Sequence, residues 1–162
     1  MAAGSTYTPI ATTTLASATS TYTFSSIPST YTDLVLIYSG SGSGATDLYI
    51  QFNGDTATNY SRTYILGNGT TATSARQSTN AAILTAYQTT GIQNAKINVM
   101  NYSNTTTYKT TVAIEAMSTV GVAAVVGLWR NTAAISSLLI GPTGGQTMSS
   151  GTTLTLYGIQ AA

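Results

Sequence analysis

Apolar and polar positions alternate with a period of two in several short stretches, the spacing of a strand with one buried face. In DLYIQFN (47–53), Leu48, Ile50 and Phe52 fall on one side, with Asp47, Tyr49 and Gln51 on the other. In KINVMNY (96–102), Ile97 and Val99 share a side, opposite Lys96, Asn98 and Met100. In TTVAIEA (110–116), Val112 and Ile114 lie opposite Glu115. Near the end, Leu154 and Leu156 alternate with Thr153, Thr155 and Tyr157. LVLIY (34–38) differs: it is apolar on both sides, as a central strand covered on both faces would be.

Strand-like segments recur roughly every 12 to 18 residues between clusters of turn formers, which predicts a sandwich or barrel. They are YTPIATTTL (7–15), STYTFSSI (20–27), TDLVLIYS (32–39), DLYIQFN (47–53), YSRTYILG (60–67) and AAILTAYQ (81–88). AKINVMNY (95–102), YKTTVAIEA (108–116), VAAVVGLWR (122–130), AISSLLIG (134–141) and TLTLYGI (153–159) complete the series. The connections SGSGSGAT (39–46), GNGTTATSARQSTN (67–80) and GPTGGQTMSSG (141–151) are rich in residues that accept positive φ or bond their own backbone. The 67–80 segment is long and nearly free of apolar residues, so it reads as a mobile or interaction loop. No linker is long enough to separate a pair of domains, so residues 1–162 form one domain. The expected fold is all-β: an antiparallel β-sandwich of about 8–11 short strands. TYT and NYS triplets recur, but no sustained repeat period runs through the chain.

Composition sharpens this. Only 6% of residues are charged, against about a quarter in an average protein, and Ser and Thr fill nearly one-third of the chain. Thr, Tyr, Val and Ile favour strands, while the usual helix-surface residues are scarce. A formal net charge of +1 supplies neither the basic stripe of a nucleic-acid binder nor a membrane-binding patch. The longest apolar run, VGVAAVVGLW (120–129), is about half of what a membrane-spanning helix needs. The start, MAAGSTYTPI, lacks the basic and apolar segments of a secretory signal. The expectation is therefore synthesis as a soluble chain in a cytoplasm, without membrane or nucleic-acid partners.

Candidate chemistry is sparse. There is no His and no Cys, which removes Ser-His-Asp and Cys-His systems, His- or Cys-based zinc sites, iron–sulfur clusters and thiol redox chemistry. Asp33, Asp47, Asp55 and Glu115 are the only carboxylates, and Lys96 and Lys109 the only side-chain amines. A glycosidase needs just two carboxylates, so a glycan hydrolase using Asp55 with Glu115 or Asp33 is the enzymatic alternative. The expected assignment is no enzyme, no cofactor and no metal. Asn53-Gly54 is the strongest short hairpin signal, since both residues tolerate the positive φ of a tight turn. Asp55 just beyond could bond back to the backbone. Asp47 lies roughly 25 Å away if the strand is extended, too far to share an ion with it.

Four N-x-S/T triplets, at Asn59, Asn68, Asn101 and Asn104, fit chance in so Ser/Thr-rich a chain. Trp129-Arg130 closes the long apolar run, either as an interface anchor or as a core-capping Trp with its Arg reaching solvent. Tyrosines amid Ser, Thr, Gly and Asn resemble the adaptable contact surface of an antibody paratope. Tyr102, Tyr108, Trp129 and Arg130 are the candidate interaction surface.

Read end to end, the segments TYTPIATTTL, FSSIPSTYTDLVLIYSG, FNGDTATNYSRTYILGNG, NYSNTTTYKT, VGLWRNTAAISSLLI and GTTLTLYGIQAA resemble small virion structural proteins of tailed bacteriophages, of the marine and cyanobacterial type. The resemblance implies a jelly-roll-like sandwich on the virion, as head decoration, fibre or tail component. Its partners would be copies of itself, with a trimer as the guess, and other virion proteins. It transfers no functional residues. The alternative is a tail-fibre or tail-tip module that binds host-surface glycan through loops near 67–80 and 101–107. Residues 1–15 could serve as a docking or swapped strand.

Overall fold

The computed structural model describes residues 6–117 and 121–160. Within them lie twelve strands: β1 (Tyr7–Thr14), β2 (Tyr22–Phe24), β3 (Asp33–Gly40), β4 (Thr46–Phe52), β5 (Tyr60–Gly67), β6 (Ala72–Asn80), β7 (Ile83–Gln88), β8 (Gln93–Met100), β9 (Lys109–Met117), β10 (Gly121–Trp129), β11 (Leu138–Pro142) and β12 (Thr153–Ile159). No helix occurs among the described residues, so none is long and apolar enough to cross a membrane. Every paired strand runs antiparallel to its neighbour.

The strands form two sheets. The larger has the order β1-β12-β3-β8-β9-β10-β5-β6 and the smaller β2-β11-β4-β7. The chain steps back and forth between them: β2, β4, β7 and β11 belong to the small sheet, and the intervening strands to the large one. That alternation is jelly-roll-like. One central position of the large sheet, between β3 and β5, is filled by the three-stranded meander β8-β9-β10 instead of a single strand.

The core lies between the sheets. Leu48, Ile50 and Phe52 of β4 are fully buried, as are Ile97 and Val99 of β8 and Leu154 and Leu156 of β12, each on the side that the alternation assigns to the interior. β3 buries Leu34, Leu36 and Tyr38 inward, and Val35 is 2% exposed on the other face, consistent with its two-sided apolar pattern. Gly127 of β10 lets the sheets approach, since a Cβ there would sit 2.5 Å from Ile83 Cγ2 of β7.

Two expectations change. The 67–80 segment is not a loop: after a turn at Asn68–Thr71, where Asn68 Oδ1 accepts from the backbone of Thr70 and Thr71, it becomes β6. This strand pairs with β5 alone and is exposed on both faces almost throughout, so no apolar position marks it. The Asn53-Gly54 turn forms, with φ of 54° and 67° and Asp55 N–H bonded to Phe52 O at 2.9 Å, but it closes no hairpin. β4 and β5 belong to opposite sheets, so the turn is a corner between layers. It is held by Asn53, whose Oδ1 accepts from Ser136 and Ser137 N–H and whose Nδ2 donates to Ala134 O.

Residues 7–14 of the proposed docking segment pair with β12 of the same chain at the edge of the large sheet. Residues 1–5 lie outside the described residues.

Candidate functional site

The sequence-selected residues do not converge. Asp55 is bound on all sides: its carboxylate accepts from Trp129 Nε1 (2.8 Å), Asn59 Nδ2 (2.9 Å), Ala57 N (2.9 Å) and Asn131 Nδ2 (3.5 Å). These bonds, that from Asn59 foremost, hold its carboxyl below the usual range. Trp129 is fully buried, stacked on Tyr60 at 6.0 Å and packed on Phe52 at 5.4 Å. Tyr102 is fully buried too; its hydroxyl donates to Pro28 O and accepts from Tyr31 N. Tyr108 is 54% exposed and Arg130 bonds Asn59 O through Nη1. Of the four residues chosen as an interaction surface, two are core.

The remaining ionisable groups are equally dispersed. Asp33 accepts from Asn101 N–H at 2.6 Å. Lys109 is fully buried, its ammonium capped by Thr107 O and Thr132 O, and burial lowers its pKa. Among the described residues, no group of three or more His, Cys, Asp or Glu side chains is placed to hold a metal.

One cluster does form, and not from the pairs the sequence singled out. Asp47 of β4, Arg62 and Tyr64 of β5, Tyr87 of β7 and Glu115 of β9 line a hollow of about 230 Å3 between the sheets, floored by Met117 and Val125. Arg62 donates through Nε to Gln77 Oε1 (2.8 Å) and through Nη1 to Leu84 O (3.1 Å), and forms a long ion pair with Asp47 at 3.4 Å. Its guanidinium carbon lies 4.9 Å from the centre of the Tyr64 ring. Glu115 accepts from Tyr87 N–H through Oε2; its Oε1 accepts no hydrogen bond among the described residues. Burial pushes the Glu115 carboxyl up to about 7, and Asp47 adds to the rise, while the Tyr87 N–H bond and Arg62 oppose it. The cluster can hold or release one proton near neutrality, and it presents one carboxylate oxygen to a donor.

Glu115 faces inward because β9 is reversed. Thr111, Ala113 and Met117 are buried beside it, whereas Ile114 is 55% exposed on the outer face of the large sheet. β10 and β5 continue that face with Val122 (61%), Val126 (51%) and Ile65 (62%). Register makes the patch continuous: Ile114 pairs with Ala124 and Ala124 with Ile65, while Val122 and Val126 flank Ala124 along β10. The outward positions of β9, β10 and β5 carry no charge. The alternation around Glu115 was legible; which side faces water was not.

Compared with known proteins, the chain matches no family model and no curated sequence.

Proposed function

We propose that this chain is a non-enzymatic structural protein of a tailed-phage particle, a jelly-roll-like sandwich on the virion surface that assembles through the outer face of its large sheet. The observation that carries this reading is the inverted strand β9: aliphatic Ile114 stands in solvent while Glu115 is drawn between the sheets. A contiguous apolar patch of this kind marks a surface that a partner covers. The near absence of charge favours close packing of many copies, since little like-charge repulsion arises. The resemblance to tailed-phage virion proteins supplies the setting. Asp55 and Asp33, engaged in structural hydrogen bonds, support a non-catalytic role.

Immunogold labelling of intact particles of the encoding phage tests the reading. Label on the particle surface, lost for a chain carrying Ile114→Glu, is the expected result. Chain found only in the particle-free fraction would sink it.

A second reading, contact with host glycan, draws on the hollow beside Tyr64, Tyr87 and Glu115. Aromatic rings next to hydrogen-bonding carboxylates suit a sugar ring. Wild-type binding on a glycan array that Glu115→Gln abolishes would favour it.

A further inference from the structure

We infer that the partner covering the outer face of the large sheet is a second copy of this chain, packed face to face about a twofold axis with Ile114 of each copy seated in the hollow over Ala124 of the other. The inference rests on the assembly reading and names the partner of that same surface.

Shape is the first argument. Ile114 stands between two shallow hollows. One, of about 410 Å3, is bordered by Ile37, Asn94, Lys96 and Ala116. The other, of about 460 Å3, is bordered by Ile65, Ala72, Val122 and Ala124. Ridge and hollow thus occur side by side on one surface. An isologous contact requires this, because each copy must supply both the knob and the hole. A threefold ring joins two different surfaces; this face carries both halves of the fit itself.

Charge is the second. The outward positions of β9, β10 and β5 have none to match with a partner of opposite sign. The lysine nearest to the patch, Lys96 on β8, has its ammonium at the Tyr7 hydroxyl (3.3 Å) on the far edge strand. The uncharged area is thus the outward side of β9, β10 and β5; Lys96, the cross-strand neighbour of Ile114, and Arg76, paired with outward Thr63, stand at its rim.

Area is the third. The strands β9, β10 and β5, uncharged on this side, span about 14 Å across and about 28 Å along the strands, about 400 Å2. The flanking β3, β8 and β6, with Lys96 and Arg76 on the same side, extend the face to about 800 Å2. A stable interface of standard size takes about 800 Å2 from each partner. Two sheets packed in this way sit about 10 Å apart with their strands inclined by about 30°.

Sedimentation equilibrium of the purified full chain tests this. The wild type should show twice the chain mass of 16.7 kDa at micromolar concentration. Ile114→Glu should weaken the pairing about 100-fold or more, since it buries an unpaired carboxylate in the contact. Ile114 is already exposed, so the variant should keep the wild-type circular dichroism and melting temperature. The chain has no native cysteine, so Ala124→Cys offers an independent readout: a bifunctional thiol cross-linker that spans about 10 Å, the separation of packed sheets, should give a covalent dimer, and Tyr108→Cys, away from the patch, should not.

A monomer at 100 μM, or a dimer that Ile114→Glu leaves intact, overturns the inference. The particle experiment separates the two readings. Monomeric chain that enters particles through Ile114 leaves the assembly role standing and removes the self-pairing. A dimer that never enters particles does the reverse.

Discussion

The indole N–H of Trp129 donates to the Asp55 carboxylate at 2.8 Å, joining the end of β10 to the corner that follows β4. The bond gives a fully buried indole its polar partner and fixes the loop between the sheets. Asp55→Ala would leave that N–H unsatisfied, a loss of about 1–3 kcal/mol. Asp55→Asn retains an acceptor oxygen and should lose less. Urea unfolding followed by Trp129 fluorescence measures both, and an alanine variant as stable as wild type would refute the assignment.

The same carboxylate sets a limit at acid pH. Its folded-state pKa is depressed, so its stabilising contribution is complete above the unfolded value of about 3.9. That contribution fades as pH falls through the lower folded value. The melting temperature of wild type should therefore drop more steeply below pH 4 than that of Asp55→Asn.

Glu115 acts in the opposite sense. Its pKa rises from 4.5 to about 7 on folding, so between those values the folded state holds a proton that the unfolded state has released. Stability then falls as pH climbs from 4.5 to 7 and levels off above. The full shift corresponds to about 3 kcal/mol, and solvent access at the mouth of the hollow reduces this to on the order of 2 kcal/mol. Glu115→Gln should flatten that slope and be more stable than wild type at pH 8. Thermal melts across pH 4 to 9 decide it, and parallel curves for the two proteins would exclude the effect.

Which regions of this fold could be read from the chain follows from where water lies. In β4, β8 and β12 one face is core and the other solvent, so alternation marks both the strand and its inner side. In β9 Ile114 faces outward while Ala113 and Met117 face inward with Glu115, and alternation identifies the strand without saying which side is buried. β6, ATSARQSTN, carries no large apolar residue; only the free edge of β5 makes it a strand. The Asp47, Arg62 and Glu115 cluster was not legible because it depends on the register of three separated strands across two sheets. Trp129 was legible as a core cap, but its bond to Asp55 required knowing that the Asn-Gly turn is a corner.

That corner is itself testable. Gly54 has φ of 67° and open space around its missing Cβ, so Gly54→Ala adds backbone strain without a clash, about 1 kcal/mol. Asn53→Ala removes four hydrogen bonds to residues 134–137 and places alanine at positive φ. It should cost about 2–3 kcal/mol. Denaturant midpoints that rank Asn53→Ala as milder than Gly54→Ala would contradict the corner's dependence on the side chain.

Gly127 probes the spacing of the layers. It lies in the apolar run of β10, where glycine weakens a strand unless another element needs the space. Here β7 needs it: a Cβ at 127 would meet Ile83 Cγ2 and Thr111 Oγ1, each at 2.5 Å. Both neighbours are buried, so neither can swing into solvent. Gly127→Ala should therefore push β7 outward and cost about 1–3 kcal/mol by overpacking. Ile83→Ala removes Cγ2 and Cδ1, both of which face the added Cβ, so combining it with Gly127→Ala should cost less than the sum of the two single changes. A double-mutant cycle in urea measures that coupling. Strict additivity would mean that β7 does not rest on Gly127, and that another contact sets the distance between the sheets.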